Sequence, residues 1–243
     1  MGAFVAAYVG IEIGRLIAGK TKLDIILTPI VTIGSGSLVG LLAGPYISQF
    51  MTWLGSLINW GTEQQPVVMG VVVSVLMGIF LTLPISSAAI GVALGLEGIA
   101  AGAAVAGCCA NMVGFAIASY RENKFGGLVA QGIGTSMLQM PNIVRKPLIW
   151  LPAIISSAIL GPISSAVLKM TCNATGSGMG TAGLVGPLMS YDTMVNVDGF
   201  AWQIALVEIL VMHFILPAVI ALGVSEAMRK LGLIKKGDMR LDV

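Results

Sequence analysis

Long stretches of the chain carry no charge. Residues 25–62, 64–96, 98–120, 125–144, 147–168 and 170–191 contain no Asp, Glu, Lys or Arg. Helices of a soluble domain keep a polar face toward water, and these stretches keep no charged one. About 20 apolar residues cross a bilayer core, so each stretch is of membrane length or longer. The pattern predicts an all-α fold, a polytopic transmembrane helical bundle with broken or re-entrant helices. It predicts a single membrane domain over 1–243 with about six to seven spans plus re-entrant segments. A basic cytoplasmic tail is expected at 223–243.

Residues 2–18 read as one hydrophobic helix ending at the basic loop KTKLD. Glu12 and Arg15 are three apart, so they share a face. Structural neutralisation is one reading of that pair; a charge on a transport path is the other. The uncharged run 25–62 has 38 residues. As one helix it would measure roughly 57 Å, too long for one crossing, so a turn is expected at Gly44-Pro45. Gly36, Gly40 and Gly44 recur at four-residue spacing, which lets a neighbouring helix approach closely. The remainder, YISQFMTWLGSLINW, carries Trp53 and Trp60 and suits a short span or an interfacial helix.

After TEQQP (62–66), VVMGVVVSVLMGIFLTL spans again and stops at Pro84. PISSAAIGVALG is too short to cross, as broken or re-entrant helices are. Residues 98–119 form a span with a smooth face of Gly98, Gly102, Ala106, Ala110 and Gly114, and Asn111 is its polar exception. RENKF turns the chain. FGGLVAQGIGTSMLQMPNIVRKP has Gln131, Gln139 and clustered glycines, which argues for a hairpin entering and leaving on one side. Residues 147–168 cross back, interrupted at Gly161-Pro162, and 200–222 form the last span. PISSAAI, PAIISSAI and GPISSAV resemble one another, compatible with the duplicated halves of many transporters.

Composition agrees: 56% hydrophobic and 10% charged residues, with mean hydropathy +0.95, exclude an ordinary soluble domain. The net charge of +2 says less than its placement. Lys20 with Lys22, Arg121 with Lys124, Arg145 with Lys146, and Arg229 to Arg240 form four basic clusters, all placed inside by the positive-inside rule. None has the interleaved aromatics that nucleic acid requires. Cys108, Cys109 and Cys172 make no metal-ligand spacing or disulfide framework and read as packing residues. The first residues have no basic region of a cleavable signal, so the chain starts abruptly in a membrane helix.

GMGTAG (178–183) fits G-x-G-x-x-G, and Asp198 follows at the distance of a ribose-binding acid. That fingerprint needs a strand before it and a βαβ unit around it, and the surrounding pattern offers neither. TCNATGSGMGTAGLVGP is then an exposed loop or an unwound, re-entrant segment lining a cavity. Ser177 and Thr181 would supply hydroxyls suited to a polyol or small anion. Glu63 is the one acid between 25 and 96. It is either solvated in an outer loop or able to accept hydrogen bonds from sugar hydroxyls. Glu208 and His213 lie in the last span, where ionisable groups are functional candidates, but five positions apart they do not face one another. His213 is the only histidine, which excludes a multi-histidine metal site; it serves packing or contacts solute. No nucleophile elbow, HExxH motif or P-loop is present, so no self-contained hydrolysis and no cofactor is implied. The expected solute contacts are Glu63, Asn111, Ser177, Thr181 and His213.

LDIILTPIVTI, INWGTEQQPVVMGVVVSVLMG, LTLPISSAAI, NMVGFAIASYRENKFGGLVAQGIGTSMLQMPNIV, ILGPISS, GSGMGTAGLVGP and the ending KKGDM resemble the enzyme IIC-like membrane proteins of the bacterial phosphotransferase system. The likeness is to the group that includes the perfringolysin regulator-like proteins, and it covers nearly the whole chain. It implies a dimeric permease in the bacterial cytoplasmic (inner) membrane, contacting membrane lipids. The permease moves a sugar or similar polar solute that a separate enzyme IIB phosphorylates. The chain carries no soluble phosphorylation domain, so it would be at most the membrane subunit of a sugar phosphotransferase. Members of the group usually have more N-terminal helices, so the abrupt start suits a short or truncated member. In more distant enzyme IIC proteins a T-E-P turn supplies a substrate glutamate; TEQQP carries two glutamines there. A membrane-bound sensor or regulator that binds solute without moving it is the alternative. No charged ring or filter-like repeat supports a channel.

Overall fold

The computed structural model describes residues 2–20 and 24–241. Lys22, grouped above with Lys20, lies outside them, as do the last two residues of the tail. The described residues are predominantly helical and contain no strand; one isolated bridge pairs Gly98 with Cys172. Four of their helices are long and apolar enough to cross a membrane: Ile26–Gln64, Gly98–Ala118, Pro147–Val167 and Trp202–Lys230. Pro66–Thr82 is a shorter apolar helix. The all-α, multi-spanning architecture expected from the charge-free stretches is the one observed.

The chain divides into two compact units, Met1–Gly55 and Ser56–Val243. In the first, α1 (Gly2–Ile17) lies against the early part of α2 (Asp24–Gln64). A Cβ on Gly10 would sit 2.7 Å from the Thr32 carbonyl oxygen, and one on Gly36 would sit 3.1 Å from that of Ala6. Gly40 also meets Ala6, whereas Gly44 faces open space, so the glycine face is used at two of its three positions. Glu12 and Arg15 form an exposed ion pair at 3.1 Å. The turn expected at Gly44-Pro45 does not form: α2 runs through Pro29 and Pro45 to Gln64. A proline removes one amide hydrogen bond and clashes with the preceding turn, at about 3 kcal/mol. The apolar residues on both sides keep the rest of the ladder, so the helix continues.

The second unit is built around α5 (Gly98–Ala118), in which every residue from Ala100 to Ala116 is buried. Around it pack α3 (Pro66–Thr82), α8 (Leu151–Pro162) and α12 (Leu216–Lys230). Small residues make this possible. A Cβ on Gly107 would overlap the Ser74 carbonyl of α3, so the two backbones touch. Two turns further on, Gly114 meets Ala153 of α8 and Ala221 of α12. The short helices α4 (Ser87–Leu94), α6 (Tyr120–Val129), α7 (Met140–Arg145), α9 (Ala174–Ser177), α10 (Val185–Asp192) and α11 (Trp202–Leu210) complete the unit.

Helix is given up repeatedly. Wide π-type turns occur at Ala130–Gly134, Ile163–Val167, Thr193–Val197 and Val211–Ile215. Such turns are rare and concentrate at functional sites. The last has a sequence cause. Pro217 has no N–H to offer the His213 carbonyl, and the Leu216 amide bonds Val211 instead. RENKF breaks α6 at Lys124, whose φ of 53° is uncommon for a residue with a side chain.

Residues 223–241 of the tail are partly helical and partly docked. α12 continues to Lys230, and Ile234 and Met239 then bury themselves with Phe115, Ile143, Ile149 and Met228. The backbone beyond is held by side chains. Asn123 and Gln139 donate to the Met239 carbonyl (2.8 and 2.9 Å), and Asn142 donates to that of Arg240 (2.8 Å). Glu122 accepts the Met239 amide (2.9 Å) and pairs with Arg229 (3.0 Å). Asn123 and Asn142 are therefore both tied to adjacent tail residues, Met239 and Arg240.

Candidate functional site

The glycine-rich segment 171–187 is packed rather than exposed along most of its length. Gly176, Ser177, Gly178, Gly180 and Thr181 are buried; Thr175, Gly183 and Leu184 face outward. Asn173 starts α9 as its N-cap, its Oδ1 accepting the Gly176 amide at 2.9 Å. A Cβ on Gly178 would overlap the Ser87 carbonyl, while Ser87 Oγ donates to the Gly178 carbonyl at 2.6 Å. Gly180 has a φ of 52° and leaves only 2.9 Å between a Cβ and the Cys108 backbone. Glycine is required there both by conformation and by approach. The acid spaced like a ribose ligand, Asp198, instead accepts a hydrogen bond from Thr171 at the segment's entrance.

Ser177 and Thr181 come together in this segment, against α5 and the Ala130–Gly134 turn. Ser177 Oγ donates to the Ala174 carbonyl (2.8 Å), and Thr181 Oγ1 donates to that of Gly132 (2.5 Å). Each hydroxyl keeps acceptor lone pairs. Asn111 lies on α5 and is fully committed. Its Nδ2 donates to the Gly107 carbonyl (3.1 Å) and Ser157 Oγ (3.0 Å), and its Oδ1 accepts Trp150 Nε1 (3.0 Å) and Thr82 Oγ1 (3.4 Å). It is a hub joining α3, α5, α8 and Trp150. Thr82 in turn shares a hydrogen bond with Ser136 at 2.9 Å.

His213 sits apart from that hub, in the π-type turn of the last span, which packs against α5. It is completely buried, and neither ring nitrogen has a hydrogen-bond partner among the described residues. Buried polar atoms are almost always paired, and an unpaired one costs about 1–3 kcal/mol. Glu208 Oε2, also buried, is unpartnered too. Glu63 occupies the exposed end of α2, one residue past buried Thr62 and one turn past Asn59. Asn59 Nδ2 bonds the Gly95 carbonyl at 2.8 Å, anchoring this end of α2 to the α4–α5 connection. TEQQP is thus the junction of two helices: α2 ends at Gln64, and Gln65 precedes α3.

Sequence reasoning missed the part played by the serine pairs, although it noted their likeness. In each pair the second hydroxyl crosses to another element: Ser87 to Gly178, Ser157 to Gly107 (3.2 Å), Ser165 to Pro66 (2.6 Å). The first hydroxyl does not: Ser86 caps α4, whereas Ser156 and Ser164, like Ser190 of α10, are buried without a hydrogen-bond partner among the described residues. The repeated I-S-S pattern was the available signal.

No curated protein and no solved structure gives a significant match to the chain. The family described as "Phosphotransferase system, EIIC" matches residues 1–241. With its multi-spanning helices and helix-breaking polar interior, the chain belongs to that family, as a membrane permease subunit of the phosphotransferase system.

Proposed function

We propose that the protein carries a sugar, or a similar polar solute, across the bacterial inner membrane, and that a separate enzyme IIB phosphorylates it. The observation that carries this reading is His213: an imidazole buried inside a membrane span, in a broken turn, with both nitrogens unsatisfied. A solute hydroxyl would satisfy either nitrogen. Ser177 and Thr181 would offer their free lone pairs from the glycine-rich segment, and Glu63 would accept hydroxyl protons at the exposed helix end. Asn111 would reach solute only when α3 or α8 moves, because its four bonds are all used. Rocking of one bundle against another during alternating access would release them. The permease acts as a homodimer in this reading.

The test is uptake of a panel of labelled sugars in cells with and without the phosphotransferase energy chain. One sugar should accumulate as its phosphate, and only with the chain intact. His213→Leu should fold as well as the parent, since it removes two unpaired nitrogens from an apolar site, yet lose uptake by tenfold or more. Binding without uptake would point to the sensor reading. Neither uptake nor binding of any sugar, with Glu63→Gln and His213→Ala both silent, sinks the proposal.

A further inference from the structure

The tail-bearing end of the second unit has an unbalanced charge. Its acids among the described residues are Glu122, Glu226 and Asp238, and each is already paired: with Arg229, Arg121 and Lys146 respectively. The remaining cations are Lys124, Arg145, Lys230, Lys235, Lys236 and Arg240, none of which has an ion-pair partner among the described residues. Asp242, outside them, is a fourth acid, so nine cations against four acids leave this end five charges positive.

These charges are held in place rather than trailing on a loose tail. The bonds from Asn123, Gln139 and Asn142 fix the backbone of Met239 and Arg240, and burial of Ile234 fixes the residue before Lys235. A cleft of about 570 Å³ opens between α6 and this docked segment. Arg121, Glu122, Arg229, Lys235 and Lys236 line it. Glu122 is turned inward to Arg229 and the Met239 amide, with 3% of its side chain exposed, so the open side of the cleft is cationic. The cleft lies immediately beyond the C-terminal end of the Trp202–Lys230 helix, which is long and apolar enough to cross a membrane.

We propose that this cleft binds a phosphate group, supplied by the headgroup of an anionic phospholipid. Basic pockets flanking membrane helices hold headgroup phosphates through the combined attraction of fixed cations. Lys235 and Lys236, both exposed, make the direct contact; Arg121, held by Glu226, forms the other wall. The bound lipid ties the tail and α6 to the membrane surface.

The experiment uses the full chain in detergent, with equimolar phosphatidylglycerol and phosphatidylcholine, and counts retained lipid by native mass spectrometry. Phosphatidylglycerol should be retained more than tenfold over phosphatidylcholine. Lys235→Gln/Lys236→Gln should reduce that retention by up to about 25-fold, at roughly fivefold per cation, with the thermal midpoint unchanged. Raised salt should weaken it, because the charges are exposed. A second arm adds inorganic phosphate. If phosphate binds with lysine dependence and no phosphatidylglycerol is retained, the site stands and its ligand is a soluble phosphate. Equal retention of the two lipids without phosphate binding, or an unchanged double variant, overturns the proposal.

Discussion

Replacing Asn111 with alanine separates a clamp from a solute contact. In this structure the amide's two N–H groups and two lone pairs are all used, by Gly107, Ser157, Trp150 and Thr82. Hydrogen bonds between membrane helices are worth about 0.6 kcal/mol on average and up to ~1.7 kcal/mol. Three of the four cross to another element, which gives about 1.8 kcal/mol for Asn111→Ala at the average value. The burial of Asn111 and the stranded Trp150 indole N–H push the cost upward. The assay is reversible unfolding in mixed detergent, followed through tryptophan fluorescence. A double-mutant cycle with Trp150→Phe should return a coupling of about 0.5–1.5 kcal/mol, because the two side chains share a bond. A stability unchanged within about 0.5 kcal/mol, with no coupling to Trp150, would refute the hub. Solute affinity falling at constant stability would instead return Asn111 to the role the sequence suggested.

Gly107→Val should destabilise by about 3 kcal/mol, the upper part of the overpacking range, because its Cβ overlaps the Ser74 backbone; Gly44→Ala, in open space, should be neutral or slightly stabilising in the same thermal melt. Glu122→Ala leaves a largely buried Arg229 and the Met239 amide unpaired. Local opening of the tail should cost about 3–5 kcal/mol less, read as faster proteolysis after Lys235 and Lys236; unchanged protection refutes the strap. Burial works to raise the Asp238 carboxyl, but hydrogen bonds from Lys146 and the Lys235 amide outweigh it and hold it below the ordinary 3.8. Its contribution is therefore complete above that ordinary value and is lost as pH falls through the lower folded one. Tail protection should stay flat from neutral pH down to about 4 and drop below it, and Asp238→Asn should remove the dependence. The Lys146–Asp238 pair keeps 29% and 20% of its side chains exposed, so the effect is modest and weakens with salt.

The membrane class and helical fold were legible because a bilayer leaves a coarse mark: some 20 residues without charge. The small-residue face of α5 was legible too, since close helix approach needs glycine and alanine at helical spacing. The continuity of α2 through Pro45 was not, because a proline's local penalty does not say whether neighbouring turns outvote it. The four-bond commitment of Asn111 was equally hidden: three of its partners lie at least 29 residues away. His213 could be picked as the lone intramembrane histidine, and Pro217 four residues later was the readable sign that its turn would be irregular.

By itself the sequence determined the class of solvent this chain meets, its all-helical fold, and the kinds of polar residue available inside. Those follow from hydropathy and periodicity, which act over a single turn or a single span. Only the tertiary structure decided which polar groups are spent on one another and which are left over. Among the described residues Asn111 and Gln139 are spent, His213 has two nitrogens without a partner, and three acids at the tail are consumed while six cations remain. Hydrogen bonds and ion pairs act over about 3 Å, so who pairs with whom depends on distances that exist only after distant helices have packed.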